Sequence, residues 1–87
     1  MIKKLANNND ITIYRHQHFV MIEGVQVNYV TWIAQTVDEN IYVTDCNEDK
    51  QSIPENFMLS QLFNEITDRG IAIDDNELRR QIYATNH

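Results

Sequence analysis

Glycine, proline and cysteine are scarce in this chain of 87 residues, which contains two glycines, one proline and one cysteine. Because Cys46 is the only cysteine, no disulfide can form within the chain. Secreted domains of this size usually need such links, so we expect a reducing, cytoplasmic location. Two glycines are too few for a glycine-rich phosphate loop, and neither a Gly-x-Ser-x-Gly motif nor a catalytic triad is apparent. We therefore expect a protein that is not an enzyme and needs no cofactor.

Long apolar runs are also missing. No stretch approaches the ~20 apolar residues that a membrane-spanning helix needs. Two lysines near the start are typical of a signal peptide, but polar residues 7–10 interrupt the apolar run that should follow them. We expect one small domain with no membrane association.

Possible metal ligands do not occur in the patterns that bind metals. His16 and His18 would share one face of a strand, but nothing in the sequence supplies the third and fourth ligands of a metal site. Asp45, Asn47 and Asp49 have the spacing of the first half of an EF-hand loop, but its glycine and its final glutamate are absent. We expect no metal site.

Positive charge is in short supply. Seven basic and thirteen acidic residues give a net charge of −6, and residues 38–77 alone hold eleven acidic and two basic residues, a net charge of −9. This balance argues against general nucleic-acid binding. An acidic patch at one end of the sheet would steer a basic protein partner, unless it only keeps the surface solvated. The residues expected to form this patch are Asp38, Glu39, Asp45, Glu48 and Asp49.

The sequence is rich in β-forming residues, most densely over residues 18–37. Glu23–Gly24 interrupts this run and predicts a hairpin with a two-residue turn. The first strand begins near Ile11 and is either continuous or broken near Arg15 to Gln17 into two shorter strands. The pairs that this register predicts include Ile22 with Val25, Val20 with Val27, His18 with Tyr29, Tyr14 with Ile33, and Arg15 with Trp32.

A second turn at residues 38–40 would pair Val37 with Ile41 and Gln35 with Val43. Capping patterns begin at Ser52, with Glu55 three residues on, and at Asp74, with Glu77 three residues on. They predict two helices, from about Pro54 to Asp68 and from Asp74 to about Ala84, with Gly70 ending the first. Residues 71–73 form either a small edge strand or a packed link. The predicted fold is α+β: an antiparallel three- to four-stranded meander followed by two helices, the first packed on one face of the sheet.

The predicted register sorts the apolar side chains onto two faces. We expect the first helix to cover the face that carries Val20, Ile22, Val25, Val27, Ile41 and Val43. The other face is expected to carry Phe19, Met21, Val30, Trp32 and Tyr42, with Arg15 beside Trp32. Only the short second helix remains to cover this patch. We therefore predict that the patch binds another protein or a second copy of the chain, unless the second helix or the N-terminal segment buries it.

These features predict a small acidic, non-enzymatic protein that acts by binding another protein, with a homodimer through the Trp32 face as an alternative. In size, acidity and lack of catalytic motifs the chain resembles the small inhibitors that phages and mobile elements carry against host or defence machinery, anti-CRISPR proteins among them. Immunity proteins and antitoxins are similar in the same respects. A nucleic-acid-associated regulator is a further alternative, using Arg15, Arg79, Arg80 and the N-terminal lysines.

Overall fold

The computed structural model describes residues 2–8, 10–46 and 55–85 of the chain. Its elements are β1 (Ile2–Asn7), β2 (Thr12–Ile22), β3 (Val25–Gln35), β4 (Asn40–Cys46), α1 (Glu55–Asp68) and α2 (Asp75–Thr85). The strands form one antiparallel sheet in the order β1-β2-β3-β4, and both helices follow it in the chain. This confirms the predicted α+β fold. Within the described part, neither helix is long and apolar enough to cross a membrane.

The β2–β3 hairpin has the predicted turn and register, with Ile22 opposite Val25 and Arg15 opposite Trp32. Glu23 and Gly24 both have positive φ angles, +52° and +79°, as a type I′ turn requires. This turn matches the twist of the two strands and therefore holds their register. β2 is one continuous strand of 11 residues, so the alternative with a break near Arg15 to Gln17 is wrong.

The second predicted turn, at residues 38–40, is wrong. Gln35 lies opposite Asn40, so the loop spans the four residues between them. The Thr36 hydroxyl donates to the Glu39 carbonyl oxygen (2.8 Å) and accepts from the Glu39 amide (3.0 Å). These side-chain hydrogen bonds stabilise a longer loop than residue type alone indicates.

The corrected loop shifts the pairing of β4 by three residues. Because side chains alternate between faces along a strand, an odd shift moves every side chain of β4 to the other face. Val43 is therefore opposite Trp32 and shares its face, whereas Tyr42 is opposite Ile33 on the other face. Ile41 lies on the Trp32 face as well, opposite Ala34.

Both helices pack on the face of the sheet that carries Trp32, so the expectation that α1 covers the Val20 and Val27 face is wrong. The buried apolar residues are Leu5, Ala6, Ile11, Ile13, Trp32, Ala34, Ile41, Met58, Leu59, Leu62, Phe63, Ile66, Leu78 and Ile82. The opposite face carries His16, His18 and Thr31 at its centre. Covering that face would bury polar groups at a cost, whereas the Trp32 face buries a large apolar ring.

The fourth strand is the N-terminal segment, which the sequence patterns did not predict. β1 pairs with β2 from Ile2 to Asn7, and the register shifts between Lys4 and Ala6. At this irregularity Leu5 and Ala6 are both buried, and α2 packs against the strand. β1 therefore extends the core beneath α2.

The helix ends follow their capping residues. The Asp74 side chain accepts a hydrogen bond from the amide of Glu77 (3.1 Å) and caps α2, as predicted. Gly70, at φ +78°, follows the last turn of α1, and its amide donates to the Thr67 carbonyl (2.9 Å). The expected N-terminal cap of α1 at residues 52–54 lies outside the described residues. Residues 71–73 form a link packed against the core rather than a strand.

Candidate functional site

β2 and β3 extend beyond both neighbouring strands. In the described part of the chain, β1 pairs with β2 only as far as His16, and β4 pairs with β3 only as far as Tyr29. Residues 17–28 therefore form a two-stranded projection that ends in the Glu23–Gly24 turn, which we call the hairpin arm. The projection contributes to an elongated shape, with principal extents of 42 × 29 × 20 Å.

The hairpin arm exposes an unusual amount of apolar surface. Its large exposed apolar side chains are Phe19, Val20, Met21, Ile22 and Val25, each between 40% and 62% exposed. Single exposed apolar residues are common on protein surfaces, but contiguous groups of them mark interaction sites. Five such residues lie within the 12-residue arm, Phe19 and Met21 on the face that also carries Trp32, and Val20, Ile22 and Val25 on the opposite face.

One face of the arm continues the face of the sheet that carries Trp32 and the helices. On this face, apolar side chains of β2 lie beside polar side chains of β3. Phe19 and Met21 lie on β2, directly opposite Asn28 and Gln26 on β3. The two amide side chains are hydrogen-bonded to each other, from Gln26 Nε2 to Asn28 Oδ1 (3.0 Å). An aromatic anchor and a methionine bordered by amides is a composition found in protein-binding surfaces.

The face of the sheet that the helices do not cover is called the open face. It carries a stack of aromatic rings at the base of the arm. The His16 and His18 rings stack with centroids 4.7 Å apart, and the rings of His18 and Tyr29 stack at 5.4 Å. His18 Nε2 lies 3.1 Å from the hydroxyl of Thr31, which is 3.2 Å from that of Thr44. Because partners hold these side chains in place, the open face is preorganised.

The stack affects the charge of the open face. Desolvation, and next the neighbouring His18, lower the pKa of His16 below its ordinary value. The neutral imidazole is therefore favoured at physiological pH. A neutral His16 ring extends the nearly uncharged surface of the hairpin arm onto the sheet.

A shallow concavity lies on the same open face, farther from the arm. The residues that line it are Ile2, Tyr14, Ile33, Gln35, Asn40 and Tyr42. The Tyr14 hydroxyl lies 3.2 Å from Gln35 Oε1, and Tyr42 is exposed. Such a lining can accept an apolar side chain of a partner.

The predicted interaction patch centred on Trp32 is wrong, because Trp32 lies in the core with 3% of its surface exposed. Its predicted contact with Arg15 does form, with the guanidinium carbon 6.0 Å from the centre of the ring. Trp32 Nε1 is buried and has no hydrogen-bond acceptor among the described residues. Val30 is half-buried against the core, and Tyr42 lies on the opposite face.

Two residues of the predicted patch, Phe19 and Met21, are exposed on the hairpin arm. They lie beyond the part of the face that the helices cover. Val20, Ile22 and Val25 are exposed too, although we expected them to lie beneath α1. The signal for this is in the sequence, since β2 has four consecutive apolar residues before the turn, from Phe19 to Ile22, whereas a strand with one buried face alternates.

The acidic residues do not form the single cluster that we expected. Asp38 and Glu39 lie in the β3–β4 loop, and Asp45 lies near the other end of β4, about 20 Å along the strand. Glu39 forms an ion pair with Arg69 (3.2 Å), which connects the loop to the end of α1. The other two residues of the set, Glu48 and Asp49, lie outside the described residues.

The arginines considered for nucleic-acid contact are bound by other side chains of this chain. Arg79 donates to the Ser60 hydroxyl (2.9 Å), and its guanidinium carbon lies 4.9 Å from the centre of the Phe63 ring. Arg80 forms an ion pair with Glu77 (2.7 Å). The contacts of Arg79 connect α2 to α1, whereas the ion pair of Arg80 lies within α2 and partly neutralises its charge. Both sets of contacts favour a structural role.

Within the residues that the structure describes, no group of three or more histidine, cysteine, aspartate or glutamate side chains could hold a metal ion. Comparison of the chain with protein-family models, with curated proteins and with solved structures found no match.

Proposed function

We propose that this chain is a non-enzymatic protein-binding module, and that the hairpin arm is its recognition element. The observation that carries the proposal is the exposed apolar surface on both faces of the arm, from Phe19 through Ile22 on β2 and at Val25 on β3. Partner binding would remove this surface from water. Each Å² of apolar area buried in this way favours binding by roughly 25 cal/mol.

The charge of the arm supports the same conclusion. Between Gln17 and Asn28, Glu23 in the turn is the only residue that is charged at pH 7 with histidine neutral. Burial of charge opposes association unless the charge is paired, so the two strands of the arm can enter an apolar cleft at little cost provided that Glu23 in the turn stays in water. The remaining acidic residues then keep the free protein soluble.

The class of binding protein that best fits these properties is an inhibitor or modulator of the kind that phages and mobile elements encode. A projecting arm on a small rigid domain suits blocking, because insertion of a few residues obstructs a cleft without any chemistry. Phe19 is the expected anchor residue, since aromatic side chains dominate the energetics of many interfaces.

Two matched phenylalanines allow a direct test. Phe19 on the arm is 59% exposed and Phe57 on α1 is 54% exposed. Phe19→Ser and Phe57→Ser therefore remove the same side chain from similarly exposed positions. Tagged wild type and both variants are used to capture partners from the source cells, with identification by mass spectrometry. The affinity of the captured protein for each purified chain is then measured by calorimetry.

We expect Phe19→Ser to weaken binding by at least tenfold, or about 1.4 kcal/mol, and Phe57→Ser to leave it unchanged. Thermal unfolding of both variants should stay close to wild type because both side chains are exposed. Equal binding by wild type and Phe19→Ser, or equal loss in the two variants, contradicts the proposal.

A further inference from the structure

We propose that the outer edge of β2, from His18 to Ile22, pairs with the same segment of a second copy of this chain. The two segments would run antiparallel about a two-fold axis at Val20. This contact uses backbone groups in the plane of the sheet and leaves both faces of the hairpin arm available to another partner.

The turn determines which backbone groups point outward. In a type I′ hairpin the residues that flank the turn, Ile22 and Val25, form a hydrogen-bonded pair, so the amide and carbonyl of Ile22 face β3. The direction alternates along the strand, and those of Met21 and Phe19 therefore face outward. Pairing between β1 and β2 ends at His16 in the described part of the chain, so these outward groups have no strand partner there.

Two strand edges lie on this side of the sheet, the outer edge of β1 and the edge of β2 beyond His16. They differ in their protection against pairing with other strands. β1 carries Lys3 and Lys4 and has its irregularity next to Leu5, which are devices that prevent strands of other molecules from pairing with an edge. The segment from His18 to Ile22 contains no lysine, proline or bulge. An unprotected edge beside a protected one indicates that the unprotected edge is paired in the functional protein.

The position of β1 selects the register of this pairing. A two-fold axis at Phe19 would place Ile22 of the second copy opposite His16, where Ile2 is already paired. An axis at Val20 avoids this overlap and still pairs five residues from each chain. Antiparallel pairs of this length match the usual length of a strand.

The side chains are complementary in this register. Phe19 lies opposite Met21 of the second copy, and the reverse pair forms on the other side of the axis. Sulfur–aromatic contacts of this kind are favourable. On the open face Val20 meets Val20 of the second copy, and no like charges come together. These matching pairs arise between two copies of the same segment, so they favour a second copy of this chain over a strand of a different protein.

The size of the contact predicts its strength. Five paired residues from each chain are far fewer than the roughly 20–30 residues per side of a standard interface. We therefore expect a weak dimer, with a dissociation constant on the order of micromolar or higher. Its population depends on protein concentration.

Cysteine cross-linking tests the register. In a Cys46→Ser background, Val20→Cys places two cysteines at the two-fold axis, with Cα atoms about 4.5 Å apart in a non-hydrogen-bonded pair. A disulfide spans that distance. Ile22→Cys is the matched control, because the two copies of Ile22 would lie about 14 Å apart along the strands.

We expect Val20→Cys to form a disulfide-linked dimer under mild oxidation and Ile22→Cys to stay mostly monomeric. Sedimentation of the wild type alone should show reversible dimerisation between about 10 µM and about 1 mM. Phe19→Pro removes an outward amide but no β2–β3 hydrogen bond, so it should abolish dimerisation. Phe19→Ala keeps this amide and should retain part of the dimerisation. A wild type that stays monomeric throughout, or equal cross-linking at Val20 and Ile22, overturns the proposal. Because these measurements use the purified chain alone, their failure leaves partner binding by the arm to be decided by its own test.

Discussion

Phe19 and Trp32 project from the same face of the sheet, yet 59% of Phe19 is exposed and only 3% of Trp32. Trp32 pairs with Arg15, which lies four residues before Phe19 on β2, a separation of about 13 Å along the strand. Both helices pack on the Trp32 side of that interval. One continuous face therefore contains the centre of the core and part of the proposed recognition surface.

Replacement of Trp32 should unfold the domain rather than remove a contact site. Trp32→Ala is expected to lower the free energy of unfolding by about 3–5 kcal/mol, because it leaves a cavity beneath both helices. Chemical denaturation measures this change. A variant that keeps wild-type stability but loses its partner would assign Trp32 to an interface instead.

Trp32→Phe keeps an aromatic ring in the core but removes the buried indole N–H. The indole Nε1 has no acceptor among the described residues, so its loss carries no hydrogen-bond penalty. We expect Trp32→Phe to be less destabilising than Trp32→Ala by at least about 1.5 kcal/mol. Equal destabilisation by both changes would show that the indole N–H has a partner.

The turn of the hairpin arm is not optimal for stability. Glu23 has a φ of +52°, which costs a non-glycine residue roughly 1–2 kcal/mol, and asparagine tolerates this region better. Glu23→Asn should therefore raise the midpoint of thermal unfolding by about 4–8 °C for each kcal/mol gained. Asp10→Asn removes the same charge outside the hairpin turn and should have little effect.

The cap of α2 should contribute measurably to stability. Asp74 accepts a hydrogen bond from the amide of Glu77, so Asp74→Ala is expected to cost about 0.5–2 kcal/mol in urea denaturation. Asp75→Ala lies inside the first turn and should cost about 0.3–1 kcal/mol through the helix dipole alone. If both variants lose the same stability, the capping hydrogen bond is not the cause.

The histidine stack should make stability depend on pH. The pKa of His16 is lowered in the folded protein, chiefly by desolvation and then by His18, so the unfolded chain binds more protons as the pH falls through its ordinary value. Stability is therefore expected to decrease on acidification from about pH 8 to about pH 5. His16→Gln should flatten this dependence. NMR titration should show His16 protonating at a lower pH than an unfolded reference, and an unshifted titration would exclude this mechanism.

Local patterns predicted the parts of the fold that local chemistry specifies. Glu23–Gly24 was sufficient to predict every β2–β3 pair, because a two-residue turn permits only one register. Asp74 and Gly70 similarly marked the start of α2 and the end of α1. The β3–β4 loop was predicted incorrectly, because side-chain hydrogen bonds of Thr36 lengthen it and no turn residue signals them.

The sequence by itself determined the α+β order of elements, the first hairpin, and the composition of the arm, which is rich in apolar residues and has one charge, at Glu23. Only the tertiary structure decided which face of the sheet is covered, and therefore that Trp32 is buried while Val20 and Val25 are exposed. The reason is that the apolar side chains of the first hairpin lie on both of its faces and do not by themselves select one. The choice depends on contributions from distant segments: the shifted register of β4 and the irregularity in β1, which place Ile41, Val43, Leu5 and Ala6 on the Trp32 side. Long-range pairing of this kind has no local pattern in the chain, so it arises only when all four strands are assembled.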